Sequence, residues 1–298
     1  MTETVQISHS DLSTQKKSSP LKEIFSKFLK ANPIDPLAVE VRKQMKNLGL
    51  LEIVDESWYW LMGFVPMRAT FKLLWQYKSK GYSNMPEYGP VVVVANHQCE
   101  FDPYLVGCAV PRKVQWLSKA ENFDYPFYRT FIEPFGTIPL HRGQHDEEAM
   151  AKVRAVLSAG GCVGIFPEGT RSSDGSISEF RSGAARICLE MGVPFLPVAI
   201  LGAYKILPKT KNFLHTKIGV PVEARVGKPV YPDPNLKPTL ENIKAFAKEM
   251  RKHVVALYEG KTAPQMKVEY NPADPEHPQI MNVEKDQYAE IAQDLSIA

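Results

Sequence analysis
The chain lacks the signatures of several large enzyme classes. No G-x-S-x-G elbow, Walker loop, G-x-G-x-x-G fingerprint or H-E-x-x-H site occurs in its 298 residues, so the usual parts of an esterase, a P-loop kinase, a dehydrogenase and a zinc protease are missing. Cysteine is scarce. Cys99, Cys108, Cys162 and Cys188 form no C-x-x-C pair and lie in or beside apolar segments, which reads as reduced, mostly buried thiols with no metal site. No run approaches the roughly 18 apolar residues that a membrane-spanning helix needs. Residues 1–20 are polar and Ser/Thr-rich, without the apolar stretch of a secretory signal. A net charge of +3 is too mild to argue for nucleic acid, and no base-reading or stacking motif accompanies it.

What is present is an ordinary globular composition, 44% hydrophobic and 23% charged, with room for one large domain and appendages. Four regions are expected: a disordered start over 1–20, an amphipathic helical segment over 21–80, a main domain over 81–260, and an acidic tail over 261–298. In the second region Leu21, Ile24, Phe25, Phe28 and Leu29 recur at helical spacing among lysines, and Leu37 to Leu50 forms a second helical stretch. The aromatic run from Ser57 to Met67, followed by Arg68, Phe71, Trp75 and Lys78, suits either a membrane interface or the protein's own core.

From Val91 onward strands and helices alternate, the rhythm of a mixed, largely parallel α/β sheet flanked by helices. Strands are expected at Val91 to Ala95, Val114 to Leu117, Gly136 to Leu140, Cys162 to Phe166, Phe195 to Leu201 and Ile218 to Gly227. Helices are expected from Pro103 to Val110, after Asp146, from about Gly183 to Met191 with Gly192 as the stop, and from Thr239 to Tyr258.

Two of these strands end in polar clusters, where open α/β sheets bind ligands. The first runs into His97 and Asp102. Five residues apart on a straight helix they would point about 140° from one another, so they meet only if a loop bends between them. Asp102 followed by Pro103 is also a helix start, which leaves two roles open for the carboxylate: helix cap, or partner to one ring nitrogen of His97 while the other faces a substrate hydroxyl. The second cluster, Glu168, Gly169, Thr170 and Arg171, has the makings of an anion site, with Arg142 and Arg181 as further cations. Together they point to acyl transfer, with His97 taking the proton of a phosphate-bearing acceptor's hydroxyl.

These motifs, in this order, resemble those of the PlsC-type glycerolipid acyltransferases, the family of 1-acyl-glycerol-3-phosphate acyltransferases. The H-x4-D signature is His97 to Asp102, the lysine-acid block is Lys119-Ala-Glu121, and the G-x-I-x-x-x-R block is Gly136 to Arg142. E-G-T-R is Glu168 to Arg171, and the proline-bearing strand is Val193 to Ala199. The likeness covers about Gly81 to Val230. It implies His97 as general base, Asp102 as its orienting partner, and Glu168, Gly169, Thr170, Arg171, Arg142, Lys119 and Arg181 as the acceptor site. It also implies acyl-CoA or acyl-ACP as co-substrate with no resident cofactor, and a peripheral or monotopic seat on the cytoplasmic side of a membrane, with the 57–67 aromatics as part of the docking segment. Lysophosphatidate, glycerol-3-phosphate and other lysophospholipids all remain acceptors of the right kind. A lipid-binding protein without turnover and a thioesterase are the alternatives from other classes. Where family members often carry Ser or Thr two residues after the histidine, this chain has Cys99, a thiol that could itself take the acyl group.

Overall fold
The structure, a computed structural model, describes residues 44, 59–124, 135–141, 146–211 and 213–261. The expected disordered start, the two basic helical stretches before residue 58 (apart from a helical Gln44), Arg142 and the acidic tail after Lys261 lie outside the described residues.

Among the described residues seven strands make one sheet: β1 (Lys78–Lys80), β2 (Val91–Ala95), β3 (Val114–Lys119), β4 (Ile138–Leu140), β5 (Cys162–Ile165), β6 (Phe195–Leu201) and β7 (Glu223–Val226). Their order is β1-β7-β6-β2-β5-β3-β4, and every pairing is parallel except β6 with β7. The α-helices fully within the described residues are α1 (Val65–Trp75), entered through a π-helical turn at Tyr59–Phe64, α2 (Asp102–Gly107), α3 (Glu147–Ser158), α4 (Gly183–Met191), α5 (Ala203–Ile206) and α6 (Leu240–Glu259).

β2 is central, and all five of its residues are fully buried. Alternation splits them between two cores. Val91, Val93 and Ala95 pack with α1, α2 and α5, while Val92 and Val94 pack with α3, α4 and α6. A strand covered on both faces needs an unbroken apolar run, and at about 1.5–3 kcal/mol for each large aliphatic side chain such a run contributes heavily to stability. Helix ends follow local chemistry. Asp146 Oδ1 accepts from Ala149 N (2.9 Å) to start α3, Thr239 Oγ1 accepts from Asn242 N (3.2 Å) to start α6, and Gly192 and Gly260 stop α4 and α6 at positive φ.

The segment before residue 81 divides its residues. Tyr59, Phe71, Trp75 and Tyr77 are buried, with Trp75 Nε1 donating to Lys217 O (2.7 Å) and Tyr77 OH to Leu105 O (2.7 Å). These aromatics therefore serve the protein's own core, and the large apolar side chains left exposed are Leu61, Val65 and Leu73, beside polar ones such as Thr70, Lys72 and Gln76. The sheet also starts inside this segment, because β1 pairs in parallel with β7. Among the described residues no helix is long and apolar enough to cross a membrane.

Candidate active site
The carboxyl ends of β2 and β5 are neighbours in the sheet, so the loops that leave them meet. In the β2 loop, Asp102 stands at the first position of α2, but its side chain makes no cap there. It turns back, and Oδ2 accepts from the backbone N–H groups of Gln98 and Cys99 (2.5 and 2.7 Å) and lies 2.8 Å from His97 Nδ1. Oδ1 accepts from Cys99 Sγ (3.4 Å). The cap reading of Asp102 is thus corrected: four donors from the preceding loop use up the carboxylate. That loop is the bend that a five-residue spacing requires.

Asp102 is fully buried, whereas the His97 side chain keeps 15% of its surface open. An ionised carboxylate only accepts, so the proton at this contact sits on Nδ1 and the lone pair is on Nε2. No protein group among the described residues hydrogen-bonds Nε2.

The β5 loop is tied to this histidine at several points. His97 N donates to Glu168 Oε1 (2.7 Å), and Ser172 N donates to His97 O (2.7 Å). Glu168 Oε2 accepts from Ser178 N (3.0 Å) and Ser178 Oγ (2.7 Å). Glu168 is therefore buried and faces inward, its oxygens occupied by the protein. Gly169 has φ +71°, and a Cβ there would stand 2.7 Å from Arg181 Nε, so this glycine serves a left-handed turn and a seat for the Arg181 side chain. Thr170 points outward and accepts from Lys209 Nζ (2.9 Å). Arg171 pairs with Glu100 (3.0 Å), from the His97 loop. Lys119 ends β3 on the same side of the sheet and pairs loosely with Glu121 (3.8 Å).

Two features had no clear signal in the sequence. Lys209, on the loop after α5, joins Thr170 across 39 residues of chain. The other is a ring stack. The His97 imidazole lies against Phe166 (centroids 4.1 Å apart, planes 15°), and Phe166 lies against Trp116 (4.5 Å, 15°). Phe166 and Trp116 read in sequence as ordinary strand residues. Only the β3–β5 register, which sets Trp116 opposite Gly164, brings the rings together.

The Cys99 thiol is fully buried. Burial first, and then the Asp102 charge, push its pKa well above the ordinary thiol value. It is a poor candidate for an acyl carrier, since the thiolate is the nucleophile. A second H-x4-D spacing, His141 and Asp146, also makes contact (3.0 Å), but there the His141 side chain is 63% exposed and Asp146 caps α3. Among the described residues no three His, Cys, Asp or Glu side chains stand together as metal ligands.

A mostly parallel α/β sheet thus carries, at adjacent strand ends, a histidine held by a buried aspartate and an arginine loop. Residues 76–201 match the Acyltransferase family model. Among curated proteins, a chloroplastic 1-acyl-sn-glycerol-3-phosphate acyltransferase of Brassica napus is 32% identical over 43% of this chain and 38% of its own length. A 1-acyl-sn-glycerol-3-phosphate acyltransferase of Borreliella burgdorferi is 32% identical over 47% of this chain and 58% of its own. The matched region thus spans well under two thirds of these relatives. Among solved structures, the 1-acyl-sn-glycerophosphate acyltransferase PlsC of Thermotoga maritima superposes with a TM-score of 0.57 at 22% identity, covering 82% of this chain and all of that one, a likeness of fold.

Proposed function
We propose that this protein transfers a fatty acyl group from a thioester donor, acyl-CoA or acyl-ACP, to the free hydroxyl of a lysophosphatidate-like acceptor in phospholipid synthesis. The observation that carries the reading is the free Nε2 of a histidine whose other ring nitrogen is held by a buried carboxylate. As the acceptor oxygen attacks the thioester carbonyl, Nε2 takes its proton, and Asp102 balances the imidazolium that forms. The C–S bond then breaks and the leaving thiolate takes the proton back, which yields an ester and a free thiol. Arg171 and Lys209, with Arg181, Lys119 and Arg142 as further cations, supply charge for an acceptor phosphate, Thr170 adds a hydroxyl, and Glu168 holds the loop that carries Thr170 and Arg171.

The site meets its lipid at the cytoplasmic face of a membrane. Supporting this, Leu61 in the π-helical turn and Val65 and Leu73 on α1 are exposed large apolar side chains, with the exposed Lys72 beside them as a cation for lipid headgroups.

The test is the full chain with lysophosphatidate vesicles and acyl-CoA, read by CoA release and product mass. Phosphatidate formation that disappears in His97→Ala supports the reading. Free fatty acid without phospholipid would make the protein a thioesterase, and no CoA release with acyl-CoA or acyl-ACP would make it a binding protein.

A further inference from the structure
We propose that Trp116 and Phe166 are positioning residues that fix the plane of the His97 ring and favour its protonated form. The inference rests on His97 being the base. A histidine ring anchored at one nitrogen can still swing about that hydrogen bond, and here the Asp102 contact holds only Nδ1. The Phe166 face, nearly parallel at 4.1 Å, closes one side of the ring and restricts that swing. Phe166 is itself backed by Trp116 at 4.5 Å. β2, β5 and β3 are consecutive in the sheet, and alternation sets Trp116, Gly164 and Phe166 on one face. At Gly164 a Cβ would stand 2.6 Å from the Trp116 indole, so the missing side chain is what lets the indole lie flat there.

An aromatic face attracts a cation. The imidazolium that forms as His97 takes the proton is therefore stabilised by Phe166 as well as by Asp102, on an orthogonal side of the ring. The other charged groups near His97 are Glu168, at its backbone N–H, and the Glu100–Arg171 pair across the loop. Cys99, behind Asp102, stays a neutral thiol. A change at Phe166 alters none of these charges.

The experiment compares wild type with Phe166→Leu, Phe166→Tyr and Trp116→Leu, using kcat, KM, the pH profile of kcat/KM, and NMR titration of the His97 ring in the full chain. Phe166→Leu is expected to lower kcat about 10- to 100-fold, the scale of a misplaced catalytic group, with KM for either substrate changed less than about threefold. It should also lower the ring's titration midpoint by about 0.5 to 1.5 pH units, the range of a cation–π contact. Phe166→Tyr, which keeps the ring face, should restore both. Trp116→Leu, which never touches His97, should move both in the same direction by less, and it serves as the second reading if the Phe166 variants fold poorly. An unchanged titration midpoint in folded Phe166→Leu and Trp116→Leu overturns the proposal. If His97→Ala retains activity, the base assignment has failed instead; the NMR titration still reports on the stack.

Discussion

Replacing Asp102 with asparagine separates the charge of this residue from its shape. The carboxylate accepts from His97 Nδ1, Gln98 N and Cys99 N through Oδ2, and from Cys99 Sγ through Oδ1. An amide of the same size can keep its oxygen on the first three donors and turn its NH2 toward the sulfur, a weak acceptor. Folding loses only the charge assistance of three hydrogen bonds, about 2–3 kcal/mol in all, or a fall in Tm of about 5–10 °C for a domain of this size. Catalysis loses more. An imidazolium on His97 and a carboxylate about 4 Å away attract by about 4 kcal/mol at an effective dielectric of about 20, and each 1.4 kcal/mol is about tenfold in rate. Asp102→Asn should therefore cut kcat by about 10²- to 10³-fold while the protein stays folded, measured by CoA release beside a thermal melt. A kcat within about tenfold of wild type would show that Asp102 only shapes the loop. Asp102→Ala is the poorer probe, because it strands two buried amides and mixes unfolding with catalysis.

Glu168→Gln places an NH2 group against either His97 N–H or Ser178 N–H, leaving a buried donor unpaired at about 1–3 kcal/mol. The expected result is a Tm lower by about 3–10 °C and a reduced kcat with little change in acceptor KM; a large rise in KM alone would make Glu168 a substrate contact. Cys99→Ser should keep most activity, since a hydroxyl can still donate to Asp102, and a stable acyl-thioester trapped on Cys99 would defeat the direct transfer. Glu100→Gln frees Arg171 from its carboxylate, so acceptor KM should fall by up to about fivefold at low salt, the scale of an exposed ion pair; a higher KM would contradict this. Asp146→Ala removes the cap of α3 and should cost about 1 kcal/mol at neutral pH with kcat unchanged. The Ala149 N–H first, then the His141 N–H, hold the Asp146 pKa below the usual carboxylate value, so its contribution is present above that value and is lost as pH falls through the lowered one. Melts of wild type and variant should accordingly converge in acid.

Strands β2 and β6 appear with the bounds the sequence indicates, because buried runs of branched residues between turn residues have few other readings. β7 is shorter than the expected Ile218 to Gly227. Gly219 N and Val222 N are taken by the end of α1, donating to Leu74 O and Trp75 O, and Pro221 has no N–H to offer. β1 went unnoticed since Lys78–Lys80 is three residues with both lysines outward, a short charged edge without an apolar signal. At the site, spacing identified His97 and Asp102, yet spacing alone also fits His141 and Asp146. Exposure of the histidine, 63% for His141 against 15% for His97, and the helix cap made by Asp146 separate the two pairs, and both depend on the folded surroundings. The rings behind His97 were hidden for a similar reason: they depend on strand register, which no local pattern reports.

Gly164 and Gly169 both lie within six residues of Glu168, and neither is there as a hinge. Each is an unfilled volume reserved for a side chain from elsewhere, the Trp116 indole in one case and the Arg181 side chain in the other. Part of the site's geometry is therefore specified by atoms that are missing. A glycine inside a strand ordinarily weakens it by about 0.5–1 kcal/mol, and filling Gly164 to regain that propensity would displace a ring two contacts away from His97. At this position, an attempt to raise thermal stability by improving the strand would act on the histidine from a distance.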